Sequence, residues 1–163
     1  MIRTKILAII TATILVAGLV AFIPPEQAEA KKDDLLKSNI VGISVPGMMV
    51  DGVPGSGVTW TVSDGEATLD KNGKLHVKVK GLLVSDPFHP CFGTICGKTT
   101  VWIGLTCEGV SGTVFTTPGA PLKSNGDAKI KFTIPLPSTC IGPTILIQLG
   151  GMSTSPWIAA TGF

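Results

Sequence analysis

The chain contains no tyrosine, and Arg3 is its one arginine in 163 residues. Histidine occurs twice, as His76 and His89. Each shortage excludes something. Arginine supplies the bidentate grip on phosphate and carboxylate that lysine lacks. With Arg3 confined to the extreme N-terminus, no dedicated nucleotide or nucleic-acid site is expected. Two histidines and no G-x-S-x-G leave little from which to build a nucleophile, base and orienting acid. Gly55-Ser56-Gly57 reads as a flexible turn, because a nucleophile elbow needs a strand–turn–helix. Nine acids follow residue 30, mostly in turn-like stretches. They show neither the spacing of a calcium loop nor an obvious glycosidase pair. Helical periodicity over ten or more residues is also missing after residue 30. The sequence calls for no cofactor and for no enzyme; a hydrolase with an unrecognised site is kept as a second alternative.

What is present begins with export. Arg3 and Lys5 precede an apolar run at 6–23, then Pro24-Pro25 and the small residues Ala28 and Ala30. That order is a secretory signal peptide over 1–30, with cleavage expected after Ala30. An uncleaved anchor is the rival, since the run approaches the length of a membrane span; it would be the chain's only membrane contact. Residues 31–163 then carry eleven lysines against nine acids, and suit one domain. The localisation expected is secreted or cell-surface.

The four cysteines, Cys91, Cys96, Cys107 and Cys140, all follow the signal. An even count in an oxidising compartment implies two disulfides, with three pairings open. A local Cys91–Cys96 clamp and a long-range Cys107–Cys140 staple are favoured. Such a staple adds about 3–4 kcal/mol in the chain-entropy treatment.

The organising stretch is 59–83. Leu75, Val77 and Val79 alternate with Lys74, His76, Lys78 and Lys80, a period of two that puts apolar side chains on one strand face and basic ones on the other. Lys71-Asn72-Gly73 supplies the turn of a hairpin. The same alternation recurs where Ala128, Ile130, Phe132 and Ile134 interleave with Lys129, Lys131 and Thr133. Residues 144–149 (TILIQL) read as a strand buried on both sides, and 157–161 as the last strand. The run 46–57 is a long glycine- and proline-rich loop, 85–98 a loop closed by its own cysteines, 118–127 another loop, and 135–143 a corner. Residues 31–38 read as a charged tether, and 39–163 as a single antiparallel β-sandwich of Ig-like or Greek-key type with about eight or nine strands.

The run Trp60-Thr61-Val62, the acidic turn after it and the L-D-K-N-G-K-L-H-V-K-V-K-G-L hairpin resemble those of a group of exported bacterial and archaeal all-β proteins. In that group a strand ending in Cys, a G-D-A strand, a Pro/Cys corner and a closing strand follow; here 101–107, 126–134 and 137–149 correspond. The resemblance implies one domain, supports the Cys107–Cys140 pairing and brings no catalytic residues. The Cys91–Cys96 loop departs from its pattern.

Three candidate sites remain. His89, Cys91 and Cys96, with Asp86 and Cys107 near in sequence, are donors suited to copper(I) or zinc if the thiols are free. Trp60, Trp102 and Trp157 serve as core plugs or, if exposed, as sugar-stacking platforms. Lys78 and Lys80, with Lys74, Lys129 and Lys131, form a basic stripe that suits an anionic glycan or envelope surface. The expected role is an exported, disulfide-stabilised, non-catalytic module with a structural, adhesion or binding function at the envelope. Self-assembly by strand addition at a sheet edge is a variant of it, and a metal-binding protein is its first alternative.

Overall fold

A computed structural model describes residues 33–162. The segment 1–30, expected to be a signal peptide, lies outside the described residues, as do Lys31, Lys32 and Phe163. Thirteen strands follow one another among the described residues: β1 (Asp34–Gly42), β2 (Met49–Val50), β3 (Val53–Pro54), β4 (Trp60–Thr61), β5 (Asp64–Asp70), β6 (Lys74–Lys80) and β7 (Leu83–Val84). They continue with β8 (Thr100–Thr106), β9 (Phe115–Thr116), β10 (Ala120–Pro121), β11 (Ala128–Thr133), β12 (Thr144–Gln148) and β13 (Trp157–Thr161). There is no helix among the described residues, so none there is long and apolar enough to cross a membrane.

The strands are antiparallel and all but four belong to one continuous sheet, in the order β10-β8-β12-β13-β1-β5-β6-β11, with β9 also on β8. The sheet curls so that its two ends approach. Lys123 N–H donates to Asp127 O across the β10–β11 connection. Phe115 of β9 stacks on Phe132 of β11, ring centroids 6.2 Å apart. Cross-strand partners share a face, so the register sorts the side chains. Ile40, Ala67, Leu69, Leu75, Val77, Val79, Ile130, Ile103, Leu105, Ile145, Ile147 and Ala159 line the inner face, and all are buried.

The outer face differs from one half of the sheet to the other. On β5, β6 and β11 it carries Glu66, Thr68, Lys74, His76, Lys78, Lys80, Lys129 and Lys131, none fully buried. On β8, β12 and β13 the outward Gly104, Thr106, Leu146, Gln148 and Ala160 are all buried. The β2–β3 hairpin supplies part of their cover: Thr106 Oγ1 donates to Asp51 Oδ2 at 2.6 Å, and Gly112 N–H to Asp51 O at 2.6 Å. Gln148 Nε2 donates to Ser155 O at 2.8 Å. A Cβ at Gly104 would meet Gln148 Oε1 at 2.5 Å and Thr113 Cγ2 at 2.6 Å, so only glycine fits beneath these two side chains.

Several expectations change. The tether reading of 31–38 does not hold for Asp34–Ser38, which pair with β5 as the first half of β1; Leu36, Ser38 and Ile40 form its inward row. Gly55-Ser56-Gly57 is an anchor, not a flexible turn. Gly55 and Ser56 are buried, Ser56 N–H donates to Trp157 O, and Ser56 Oγ accepts from Trp60 Nε1 at 3.3 Å. The loops 46–57 and 118–127 contain β2, β3 and β10. β6 stops at Lys80, before Gly81, whose φ of +60° suits glycine and whose N–H donates to Asp127 Oδ1. Both disulfides form as favoured, Cys91–Cys96 and Cys107–Cys140, and fit an oxidising, extracytoplasmic environment.

Candidate functional site

Residues 33–162 are electrically balanced. Thirteen basic residues less Arg3, Lys5, Lys31 and Lys32 leave nine lysines, and eleven acids less Glu26 and Glu29 leave nine carboxylates. The distribution is not balanced. Six of the nine lysines, Lys37, Lys74, Lys78, Lys80, Lys129 and Lys131, share the outer face of β1, β6 and β11. That face also holds the acids Asp64, Glu66 and Asp70, and Asp64 Oδ2 is bound to Lys80 Nζ at 3.1 Å.

The register sets like charges against each other. Lys78 lies directly opposite Lys129, and His76 directly opposite Lys131. Such cross-strand pairs oppose folding. His76 shows the effect: burial lowers its pKa below the ordinary 6.5, and Lys131, Lys129 and Lys78 push it further down against the pull of Glu66. Its Nε2 is shielded from solvent and has no hydrogen-bond partner among the described residues.

Two open grooves bracket this face. One, of about 330 Å³, runs between β6 and the β10–β11 connection, where Lys78, Lys80, Lys123 and Lys129 meet Pro121 and Asp127. Both oxygens of Asp127 are occupied: Oδ1 accepts from Gly81 N–H after β6, and Oδ2 from Asn125 Nδ2 in its own turn. Lys80 is paired with Asp64, so Lys78, Lys123 and Lys129 line the groove beside an occupied Asp127 carboxylate. The other groove, of about 710 Å³, lies at the far end of the same strands, where Lys74, His76 and Lys131 meet Asp34, Asp70 and Phe132. There Asp70 Oδ1 accepts the N–H groups of Asn72 and Lys74. The Lys74 bond is the main reason its pKa falls below 3.8; desolvation opposes the fall and the Asn72 bond adds to it.

The other candidates are placed as follows. Trp60 and Trp157 are buried in the core; Trp102 is half-buried, its indole against Gly119 and Gly151. No pair of exposed indoles is presented among the described residues. His89, Cys91 and Cys96 come together on the 85–98 loop, with their donor atoms within 4.8 Å of one another. Cys107 is held in its own disulfide with Cys140. Ser56 Oγ is spent on Trp60 and on Val58 N–H. Lys37 and Lys123 were not singled out from the sequence. Lys37 is legible as an outward position between Leu36 and Ser38. Lys123 has no local signal, because only the curl of the sheet carries its loop to β6.

Comparison with family models, with curated proteins and with solved structures returned no match.

Proposed function

We propose that this protein is an exported, non-catalytic binding module of the cell envelope whose lysine face engages an anionic polysaccharide. In this reading the two halves of the curled sheet act as the layers of a sandwich-like core, and the disulfides keep that core intact outside the cell. One observation carries the reading: six of nine lysines occupy one face of a domain whose charges balance overall, in a register that sets Lys78 against Lys129. A fold gains no stability from that arrangement. A departure from local consistency of this kind belongs at functional surfaces. Lysine without arginine suits diffuse attraction to a polymer of carboxylates or sulfates rather than bidentate capture of a single group. β1 pairs with β5 over Asp34–Asn39 and with β13 over Ile40–Gly42, and the sheet ends at β10 and β11, where a strand from a second copy would find an edge.

The test is titration with polygalacturonate, and with neutral dextran as control, at low and at physiological salt. Binding of the acidic polymer alone, weakening as the Debye length shrinks to about 8 Å, is expected. Replacing Lys78, Lys129 and Lys131 together by alanine is expected to weaken it about tenfold or more, at about 0.5–1 kcal/mol per contact. Equal binding of dextran, or a triple variant as tight as the parent, would exclude the proposal.

A further inference from the structure

The two disulfides occupy different surroundings. Cys107 is 1% exposed within the hydrophobic core and its partner Cys140 is partly exposed, whereas Cys91 and Cys96 are both partly exposed on the 85–98 loop. A thiol can attack either sulfur of Cys91–Cys96 but only the Cys140 sulfur of the other bond, and accessible disulfides are the ones that exchange. The loop does not need its sulfur bond to keep its course. Val84 N–H donates to Thr94 O, and Gly93 N–H donates back to Val84 O, which ties the loop tip to β7. Asp86 Oδ1 accepts Phe88 N–H, His89 N–H donates to Asp86 O, Phe92 N–H to His89 O and Thr94 N–H to Cys91 O. Cys96 N–H donates to Thr94 Oγ1 at 3.1 Å. These bonds hold the backbone of all three donor residues whether the sulfurs are joined or free.

His89 stands over the pair. Its Nδ1 accepts Cys91 N–H at 3.2 Å, a long bond that a metal ion would replace. One imidazole nitrogen and two sulfurs lie within 4.8 Å of one another. Two thiolates and an imidazole are a soft set. Structural zinc takes four protein ligands, and this group offers three, while thiolate donors select copper(I).

We propose that the 85–98 loop is a redox-gated copper(I) site, closed while Cys91–Cys96 is oxidised and opened by reduction. A dithiol reductant attacks one sulfur, forms a mixed disulfide and is released as its own cyclic disulfide. Two electrons and two protons pass to Cys91 and Cys96, which become thiols. Copper(I) then binds Cys91 Sγ, Cys96 Sγ and the His89 imidazole, and the two thiol protons leave to solvent. Cys107–Cys140 remains oxidised and the fold persists. The site stands apart from the lysine face and does not depend on the anion-binding reading.

The experiment titrates the protein with dithiothreitol, blocks freed thiols by alkylation and maps them by mass spectrometry. In parallel, unalkylated protein at each step meets copper(I) supplied with a competing chelator, and circular dichroism follows the fold. Cys91 and Cys96 are expected to be freed before Cys107 and Cys140, with one copper(I) bound per reduced chain and none by the oxidised protein. His89→Ala is expected to weaken that binding about tenfold or more, and Cys91→Ser with Cys96→Ser to abolish it with the dichroism unchanged. The proposal is overturned if Cys107–Cys140 opens first. It is overturned equally if the reduced, folded protein binds no copper(I), or if His89→Ala binds as tightly as the parent.

Discussion

The half-sheet β5–β6–β11 and the half-sheet β8–β12–β13 share one core and one hydrogen-bonded frame, yet their outer faces have opposite fates. In the first, outward positions are Lys78, Lys129 and Lys131 in water. In the second they are Leu146, Thr106 and Gln148, roofed by the β2–β3 hairpin and the strands' own connections. The core needs only one face of each strand. The outer face is therefore free to be sealed or presented, and this chain does one on each side. Sealing half of the sheet secures the domain, while the presented half tolerates a row of like charges that no core demands.

The largest effect that sharpens this contrast is at Leu146. Leu146→Ala is expected to lose about 2–5 kcal/mol in urea unfolding, because the outward side chain is fully buried. The outward Lys78→Ala is expected to stay within about 0.5 kcal/mol of the parent. Equal losses at the two positions would erase the distinction between the halves. Thr106→Val keeps the shape and removes the donor to Asp51 Oδ2, leaving that partly buried carboxylate short of a partner; a loss of about 1–3 kcal/mol is expected from the same assay. No change there would mean that the hairpin does not hold the roof.

A smaller effect is pH-dependent and confined to the presented half. The folded pKa of His76 is lowered, so the unfolded chain binds its proton more readily. The stability linked to His76 is complete above the ordinary 6.5 and is lost as pH falls from there through the folded value. Melting temperatures measured on either side of that window should show a decline on acidification that flattens in His76→Asn. A decline identical in the variant would assign it elsewhere. The smallest effect is Lys129→Ala, which relieves the repulsion with Lys78 and should leave the melting temperature level or slightly raised at low salt. A clear fall would show that Lys129 supports the fold.

The same contrast explains what could be read from the chain. Lys74–Lys80 and 128–134 were legible because water on one face imposes alternation. TILIQL at 144–149 was legible as a run apolar nearly throughout, the mark of a strand covered on both sides. The first half of β1 was not: Asp34, Lys37 and Ser38 read as tether, and only their pairing with β5 makes them strand. Ser56 read as part of a mobile turn because its two glycine neighbours carry no side chain to signal burial. Of the candidate surface, Lys78 and Lys80 were visible in one strand. The approach of Lys123 was not, since it depends on a curl that brings residues far apart in sequence to one groove. The pairing of Cys91 with Cys96 was open to short-range reasoning, and the placement of His89 beside them followed from adjacency.

The presented face is most directly tested by following backbone amide resonances as polygalacturonate is added to the isotopically labelled protein. Shifts should gather on Lys37, Lys78, Lys123, Lys129 and Lys131 and fade with added salt, while those of β8, β12 and the β2–β3 hairpin stay still. Shifts centred on the roofed half, or a spectrum unmoved by the polymer, would contradict the assignment of that face to binding.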